Sequence, residues 1–270
     1  MAFLGKSVRL NRLMPQGDGL YLGLTVDHAM ARGVLPGLDT IADTLEKLLA
    51  GDPNAITMHK GIAEHCFEQY AGRVPLVLKC STFSPYQPGA DVIVADIEEA
   101  VRMGADAVSV GCIVGGDNQP EQIRTLSEFS KAAASAGMPL VTHIYPRGNL
   151  IAQEDRMAWQ NVLYAARVAA ELGVDLIKTN YPGSPEDFEK VVRGTPTRVL
   201  VAGGAPGGTI DSYLQMTRDV IDAGGKGVTY GRFVFQYQNP TALVKTLRKI
   251  VHEGYSVRQA KEYLAELESK

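Results

Sequence analysis

Short apolar runs rich in β-branched residues recur along the chain. Most of them are apolar at consecutive positions rather than at every second position, which is typical of buried parallel strands that helices cover. We predict eight such strands, at residues 21–27, 55–59, 75–80, 107–112, 139–144, 176–180, 198–204 and 227–232.

The segments between and after these strands have the periodicity of amphipathic helices. We predict helices at residues 38–50, 62–70, 92–103, 121–136, 155–172, 185–192, 210–223, 241–252 and 256–268. Eight strand–helix units in 270 residues match a (β/α)8 TIM barrel, an α/β fold of about 250 residues. A doubly wound open sheet gives the same local alternation, but no GxGxxG follows the first strand. Because no Pro- or Ser-rich linker divides the chain, we predict one domain over residues 1–270.

Composition narrows the class of function. The chain has 27 Lys and Arg against 30 Asp and Glu, a net charge of −3, so we expect no nucleic-acid partner. No apolar run approaches the length of a membrane span, and we expect no membrane partner. The three cysteines, Cys66, Cys80 and Cys112, lack CxxC spacing and cannot make a complete disulfide framework. This use of cysteine favours a reducing cytoplasm.

A lysine interrupts the sixth predicted strand. Lys178 follows Leu176 and Ile177, in a setting where the charged form of an amine is desolvated. Burial lowers the pKa of a lysine, and the neutral amine can then attack a carbonyl carbon to form a Schiff base. The alternative is a structural lysine paired with a neighbouring carboxylate, and the spacing alone leaves both open.

Other strand ends carry candidates for proton transfer. His143 and Tyr145 are two residues apart on the fifth strand and share one face, beside the strand of Lys178. A phenol there can move protons at carbon or oxygen; the alternative is two interior polar residues that satisfy each other. Asp27 ends the first predicted strand. Its carboxylate could exchange a proton with a substrate hydroxyl, or it could instead cap the helix that follows, and the sequence favours neither role. His28 follows it, is expected to point to the other side, and is assigned no role.

Glycines follow the last two predicted strands. Gly203 and Gly204 end the seventh strand, and Gly231 and Arg232 end the eighth. Phosphate sites of barrels often lie in these two loops, because Gly lets backbone N–H groups approach phosphate oxygens and Arg adds a charged fork. The alternative is two ordinary turns, but their occurrence at both expected strands favours a phosphate site.

Patterns for other chemistries are missing from the sequence. The five histidines contain no HxxxH or HxH pair, whereas a catalytic zinc site needs three converging protein ligands. No GxSxG elbow suits a Ser–His–Asp triad. We therefore expect no metal site.

Seven motifs carry a resemblance over residues 5–254. They are VDHAM (26–30), MHKGI (58–62), EEAVRMGADAVSV (98–110), YPRG (145–148), ELGVDLIKTNY (171–181), VAGG (201–204) and YGRFVFQ (230–236). In these motifs the chain resembles the archaeal-type class I fructose-bisphosphate aldolases, a family that also contains the 2-amino-3,7-dideoxy-heptulosonate synthases.

The resemblance implies a (β/α)8 barrel and a lyase that makes or breaks a carbon–carbon bond. It identifies Lys178 with the Schiff-base lysine, Tyr145 with the proton-transfer tyrosine of the YPRG motif, and Asp27 with the acidic residue of the DH motif. No metal and no cofactor are implied, because the iminium replaces the metal as electron sink. The resemblance also implies a homo-oligomer.

The glycine-rich strand ends match the phosphate-binding loops of the family, through Gly203, Gly204, Gly231 and Arg232. The implied partner is a small phosphorylated sugar or ketose, with a dihydroxyacetone-phosphate-type donor. Fructose 1,6-bisphosphate is the leading substrate, and the alternative is a different acceptor aldehyde, as in the heptulosonate synthases of aromatic-precursor biosynthesis. A non-catalytic phosphosugar-binding barrel is a further alternative, but it is expected to lack the lysine or the tyrosine.

Two positions depart from the fructose-bisphosphate enzymes of the family. His143 stands where those enzymes carry a tryptophan, and the motif after the first strand is DHAM rather than DHG. Because His143 shares the face of Tyr145, we expect it to contact a substrate group. Lys79, on the third strand, has no known role in the family. The alternatives are contact with a substrate anion and pairing with a carboxylate, and we expect the second.

Overall fold

A computed structural model describes residues 4–203 and 208–269 of the chain. The strands within these ranges are β1 (Tyr21–Thr25), β2 (Ala55–Met58), β3 (Leu76–Lys79), β4 (Ser81–Ser84), β5 (Gln87–Ile93), β6 (Ala107–Val114), β7 (Leu140–Pro146), β8 (Leu176–Thr179), β9 (Arg198–Ala202) and β10 (Gly227–Tyr230). The helices in the same ranges are α1 (Leu4–Leu13), α2 (His28–Arg32), α3 (Ile41–Leu49), α4 (Lys60–Cys66), α5 (Ile97–Arg102), α6 (Gln119–Ser135), α7 (Trp159–Glu171), α8 (Pro185–Arg193), α9 (Ile210–Asp222), α10 (Arg232–Phe235), α11 (Pro240–Glu253) and α12 (Val257–Glu268). None of these described helices has the length and apolar character needed to cross a bilayer.

Eight of the described strands close into a parallel barrel. Their order is β1, β2, β3, β6, β7, β8, β9 and β10, and β10 pairs again with β1. At least one helix follows each barrel strand. The predicted (β/α)8 barrel is therefore confirmed, and the open sheet is excluded because β1 has a paired strand on both sides.

Apolar side chains fill the end of the barrel at which the strands begin. One buried cluster takes an interior residue from each of seven barrel strands: Tyr21, Ala55, Val77, Ala107, Val141, Leu176 and Leu200. Residues two positions further along a strand lie on the same face, and on four of these strands they are Lys79, Ser109, His143 and Lys178. The interior is thus apolar where the strands begin and polar toward their carboxyl ends.

Helix α1, which the sequence analysis did not predict, covers the apolar end. Its Leu13 is fully buried in the apolar cluster and Leu10 packs against that cluster. The ammonium of Lys6 lies 3.0 Å from the carboxylate of Asp175, just before β8, and ties the helix to the barrel. With this end covered, the carboxyl ends of the strands form the open mouth.

Strands β4 and β5 form an antiparallel hairpin between β3 and α5. The predicted helix over residues 92–103 is wrong at its start, because residues 92 and 93 end β5 and the helix begins at Ile97. A capping box sets this boundary: the carboxylate of Asp96 accepts from the Glu99 N–H at 2.8 Å, and the Glu99 carboxylate accepts from the Asp96 N–H at 3.1 Å. The hairpin contacts β6 and α2, so it lies beside the mouth.

Three barrel strands end two residues earlier than predicted. β1 ends at Thr25, so Asp27 lies in the turn before α2 and not in the strand. β10 ends at Tyr230, so Gly231 and Arg232 lie at the start of α10. β9 ends at Ala202, and residue 204 lies outside the described residues. The other predicted helices are present with ends displaced by a few residues, whereas α2 and α10 were not predicted.

Candidate active site

A cavity of about 280 Å³ opens at the carboxyl ends of the barrel strands, the end at which barrel enzymes carry out their chemistry. It is lined by every predicted site residue that the structure describes: Asp27, His143, Tyr145, Lys178, Gly203, Gly231 and Arg232. The remaining predicted residue, Gly204, lies outside the described residues. The other lining residues are Thr25, His28, Ala31, Arg32, Lys79, Thr82, Phe83, Asp91, Arg147, Asn180, Ala202, Thr229 and Phe233.

Lys178 projects from the interior face of β8 and is paired in register with His143 of β7. Only 6% of its surface is exposed. Burial lowers the pKa of Lys178 to about 8; the carboxylate of Asp27 opposes this shift, and the charges of Lys79 and Arg232 add to it. A useful fraction of the amine is therefore neutral near neutral pH and can attack a carbonyl carbon.

Asp27 is a buried carboxylate in a group of basic side chains. Burial disfavours its charged form, but the histidine and lysine side chains around it outweigh burial and hold the pKa of Asp27 below its ordinary value. Its Oδ1 lies 3.7 Å from Nδ1 of His28. Asp27 is thus ionised at neutral pH and can accept a proton from a bound hydroxyl.

Tyr145 extends into the pocket from β7, two residues beyond His143 on the same face. Burial raises the pKa of Tyr145 to about 12, while the nearby charge of Arg147 acts in the opposite direction. The guanidinium carbon of Arg147 lies 5.1 Å from the centre of the tyrosine ring. The phenol is therefore protonated at neutral pH, and the charge of Arg147 favours its phenolate form.

His143 is a neutral, oriented side chain. Burial lowers the pKa of His143 well below its ordinary value, and its Nε2 lies 3.0 Å from Oγ of Ser109. The interior positions of β6, β7 and β8 therefore form a row of Ser109, His143 and Lys178 across the barrel. His143 lines the pocket, as its place beside Tyr145 led us to expect.

His28 does not point away from the site, contrary to our expectation. It lines the pocket, because β1 ends at Thr25 and strand alternation no longer applies at residue 28. A Cβ on Gly231 would lie 2.3 Å from its ring, so Gly231 lets the ring pack against the backbone after β10. Burial lowers the pKa of His28 to about 4, which makes the ring neutral at neutral pH.

Lys79 lies deep in the pocket, and the prediction that it pairs with a carboxylate is wrong. Its ammonium donates to Oγ of Ser81 at 2.8 Å, and that oxygen also accepts from the Gly111 N–H at 2.7 Å. Only 5% of Lys79 is exposed. A hydroxyl, and not a carboxylate, is therefore its partner in the described part of the chain.

Five charged or aromatic side chains of the pocket were not predicted from the sequence: Arg32, Phe83, Asp91, Arg147 and Phe233. The guanidinium carbon of Arg147 lies 4.6 Å from the ring centre of Phe83, and that of Arg32 lies 5.8 Å from it. Asp91 faces the same cavity from the hairpin. Arg147 belongs to the YPRG motif and could have been found there, whereas the others come from elements that the strand pattern did not predict.

Other nucleophiles and metal ligands are poorly placed. Burial raises the pKa values of Cys80 and Cys112 to about 12, so neither thiol ionises readily. Over residues 4–203 and 208–269, no three His, Cys, Asp or Glu side chains converge as metal ligands. The expectation of a metal-independent site stays a prediction.

Residues 22–237 match the DeoC/LacD family aldolases. The chain belongs to this family. The aldolase is 36% identical to the 2-amino-3,7-dideoxy-D-threo-hept-6-ulosonate synthase of Halobacterium salinarum, over 94% of each chain. It is 31% identical to the 2-amino-4,5-dihydroxy-6-oxo-7-(phosphonooxy)heptanoate synthase of Streptomyces griseus, over 92% of its own length and 91% of that protein.

A solved structure of an archaeal fructose-1,6-bisphosphate aldolase is similar along nearly its whole length. In that structure the catalytic Lys is covalently bound to the carbinolamine intermediate of the substrate. It matches the aldolase with a TM-score of 0.83 and 28% identity, over 92% of this chain and 99% of that chain. The chain is therefore a class I, Schiff-base aldolase and not a non-catalytic phosphosugar-binding barrel.

Proposed function

We propose that Lys178 forms the Schiff base of this aldolase and that the ketone it attacks belongs to a ketose phosphate. The supporting observation is a buried lysine with a pKa near 8, in one cavity with the ionised carboxylate of Asp27 and the protonated phenol of Tyr145. A nucleophile, a base and an acid with separated pKa values are the groups that aldol chemistry needs.

The reaction begins, in the cleavage direction, with attack of the Lys178 Nζ on the ketone carbon. A carbon–nitrogen bond forms and the carbonyl oxygen leaves as water, so an iminium results. The bond between the α and β carbons, one bond removed from the iminium carbon, then breaks, and its electron pair moves into the iminium to give an enamine on Lys178. An aldehyde is the first product, and the iminium supplies the electron sink that another enzyme would obtain from a metal.

Two side chains move the protons. Asp27 accepts the proton of the hydroxyl whose carbon becomes the aldehyde, as the carbon–carbon bond breaks. Tyr145 then donates a proton to the enamine carbon and restores the iminium, and water hydrolyses the iminium to release the ketone and the amine of Lys178. The proton held by Asp27 returns to the Tyr145 phenolate through solvent, so no proton is gained or lost overall.

The phosphate of the ketone is held at the ends of β9 and β10, which follow β8 around the barrel. We assign this role to Gly203, Gly204, Gly231 and Arg232, of which three line the cavity and Gly204 lies outside the described residues. Binding the phosphate at a distance from the reacting carbons places the ketone against Lys178.

Two aldehyde products suit this chemistry. Fructose 1,6-bisphosphate, the substrate of the structurally similar aldolase, would give glyceraldehyde 3-phosphate. The heptanoate made by the Streptomyces griseus relative would break between carbons 4 and 5 and give 2-amino-4-oxobutanoate. Both reactions leave dihydroxyacetone phosphate on the lysine, so the proposal for Lys178 holds for either aldehyde.

We also propose a domain organisation, an oligomeric state and a cellular compartment for the enzyme. Residues 1–270 act as one barrel domain, and the enzyme works as a homo-oligomer in the cytoplasm. The absence of a linker in the sequence supports one domain, the cysteine usage supports the compartment, and the family resemblance supports the oligomer.

Borohydride trapping tests the proposal directly. The wild-type protein is incubated with dihydroxyacetone phosphate, reduced with borohydride, weighed intact and mapped by peptide mass spectrometry. We expect one reduced adduct per chain, located on Lys178, because borohydride converts an iminium into a stable secondary amine. A protein that gains no mass, or gains it on another lysine, contradicts the proposal.

The rate of adduct formation should rise with pH. Because the pKa of Lys178 is lowered to about 8, the neutral amine is about 1% of the total at pH 6, about 10% at pH 7 and most of it above pH 9. The initial rate, sampled by borohydride quenching, should therefore rise about tenfold per pH unit below 8 and level off above it. In Lys79→Met the midpoint should move to higher pH, because one positive charge that lowers the Lys178 pKa is lost. A flat profile between pH 6 and 9 contradicts this expectation.

A further inference from the structure

Asp91 is the acidic side chain that the hairpin places in the pocket. Helix α6 and Asn118, the residue before it, hydrogen-bond to the backbone of the hairpin. The side-chain amide of Gln122 donates to the Asp91 carbonyl at 3.3 Å, and that of Asn118 donates to the Gly89 carbonyl at 2.6 Å. These bonds hold the backbone of β5 at Gly89 and Asp91, the strand from which the Asp91 carboxylate projects.

The Asp91 carboxylate fills the space of a missing side chain on β6. A Cβ on Gly111 would lie only 1.9 Å from Oδ2 of Asp91. Gly111 is two residues beyond Ser109 on the interior face of β6 and is paired in register with His143 of β7. The carboxylate therefore points into the mouth of the barrel, beside the strand that carries His143 and Tyr145.

Asp91 and Arg147 are opposite charges in the same part of the pocket, yet neither is hydrogen-bonded to the other. Oδ1 of Asp91 and Nε of Arg147 are both buried and have no hydrogen-bond partner among the described residues. The guanidinium carbon of Arg147 lies instead 4.6 Å from the ring centre of Phe83 and 5.1 Å from that of Tyr145. Burial lowers the pKa of Arg147 and the Asp91 charge raises it, so the two groups act on each other. Buried polar atoms without partners are costly, which indicates that a ligand supplies the partners.

The strand order places these two groups on one side of Lys178. The proposed phosphate loops follow β9 and β10, on one side of β8. Asp91 lies over β6, and Arg147 follows β7, on the other side of β8. If the ketone phosphate extends from Lys178 toward β9 and β10, the aldehyde half of the substrate extends toward β7 and β6. Asp91 and Arg147 therefore face the aldehyde half.

We propose that Asp91 and Arg147 determine the specificity for the aldehyde, and that they select one that carries an ammonium and a carboxylate. The ammonium donates to the Asp91 carboxylate, and the carboxylate accepts from the Arg147 guanidinium. This assignment rests on the proposed Schiff-base chemistry of Lys178. Of the two aldehydes above, 2-amino-4-oxobutanoate has both groups.

A phosphorylated aldehyde fits this part of the pocket less well. Its phosphate is attracted by Arg147 but repelled by the unneutralised Asp91 carboxylate, and such like-charge contacts reduce affinity. An amino acid aldehyde supplies a partner of opposite charge to each of the two groups at once. A site built for a charged group rejects an analogue that lacks it, because the charge of the protein is then left without a partner.

Three aldehydes test how much the ammonium and the carboxylate each contribute to recognition. They are 2-amino-4-oxobutanoate, 4-oxobutanoate, which lacks only the ammonium, and glyceraldehyde 3-phosphate. Each is added with dihydroxyacetone phosphate to the wild-type enzyme, and kcat/KM for ketose formation is measured by mass spectrometry of the product. We expect the wild type to favour the amino aldehyde over 4-oxobutanoate by about 30-fold or more. Asp91→Asn should reduce that preference to about threefold or less, while its activity toward glyceraldehyde 3-phosphate stays the same or rises.

Two further variants keep the test independent of one substitution. Gly111→Ala should also weaken the preference for the amino aldehyde, because the added Cβ occupies the position of the Asp91 carboxylate. Glu98→Gln is the matched control. It removes one negative charge from the exposed surface of α5, where Glu98 pairs with Arg102, and should leave the preference unchanged. Thermal unfolding followed by circular dichroism confirms that each variant is folded.

The outcomes separate the two proposals. A wild-type enzyme that shows no adduct with dihydroxyacetone phosphate contradicts the role of Lys178. If the adduct forms but Asp91→Asn slows all three aldehydes equally, or changes none of them, the specificity role of Asp91 is wrong. The same holds if the wild type reacts with glyceraldehyde 3-phosphate in preference to the amino aldehyde.

Discussion

Lys178→Met should abolish the borohydride-stable adduct and lower aldol turnover by at least about 10⁴-fold, since losing a covalent nucleophile removes the reaction path and not only a contact. Methionine has a similar length and no amine, so it fills the space of the lysine in the buried interior of β8. The measurement pairs intact mass after reduction with the steady-state rate of cleavage or synthesis.

A second buried lysine provides the control for this variant. Lys79 lines the same cavity and is buried to a similar degree, so Lys79→Met removes an equal charge from the same site. We expect Lys79→Met to retain the adduct on Lys178, although its pH midpoint shifts. An adduct that persists in Lys178→Met, or that disappears only in Lys79→Met, would falsify the assignment of the Schiff base to Lys178.

Tyr145→Phe should lower turnover by about 10²- to 10³-fold, the usual contribution of a positioned acid–base group. The adduct with dihydroxyacetone phosphate should still form, because attack by the Lys178 amine does not require the phenol. The phenylalanine ring keeps the stacking surface for Arg147, so the side chains around the aldehyde remain in place. The expected combination is therefore a trapped intermediate that accumulates while product forms slowly.

Exchange of a carbon-bound proton offers a second measurement on this variant. In deuterated water the wild type should exchange a proton of dihydroxyacetone phosphate through the enamine, and Tyr145→Phe should exchange it more slowly by a similar factor. Tyr164→Phe is the control, because that exposed hydroxyl bonds only to Gln119 among the described residues. Normal exchange in Tyr145→Phe would show that another group moves the proton.

The barrel could be predicted from the sequence because its determinants are local. Each barrel strand is a short apolar run, and each is followed by a helix with a recognisable apolar face. Lys178 was found for the same reason, since one lysine within an apolar strand disturbs a simple pattern. Position at the ends of strands then grouped Asp27, Tyr145, His143 and the phosphate-loop residues without any coordinates.

The hairpin could not be predicted in this way. Its second strand contains Pro88 and Gly89, which weaken a strand pattern, and its last residues were assigned to a helix. Asp91 therefore had no predicted place near the barrel mouth. The partner of Lys79 depended on the same element, because Ser81 begins the hairpin. The position of His28 required the end of β1 to be known within two residues, which is finer than sequence patterns allow.

In the proposed assignment, Asp91 of the hairpin helps to select the aldehyde, whereas residues of the barrel carry out the chemistry. Strands β4 and β5 hydrogen-bond to each other in a sheet of their own, whereas Lys178 and Tyr145 lie on strands of the closed barrel. Exchange of the hairpin, with Ser81 retained, would therefore replace Asp91 and leave Arg147, Lys178, Asp27 and Tyr145 in place. The same barrel could then accept different aldehydes. A set of engineered aldolases could be built by grafting different hairpins onto one barrel.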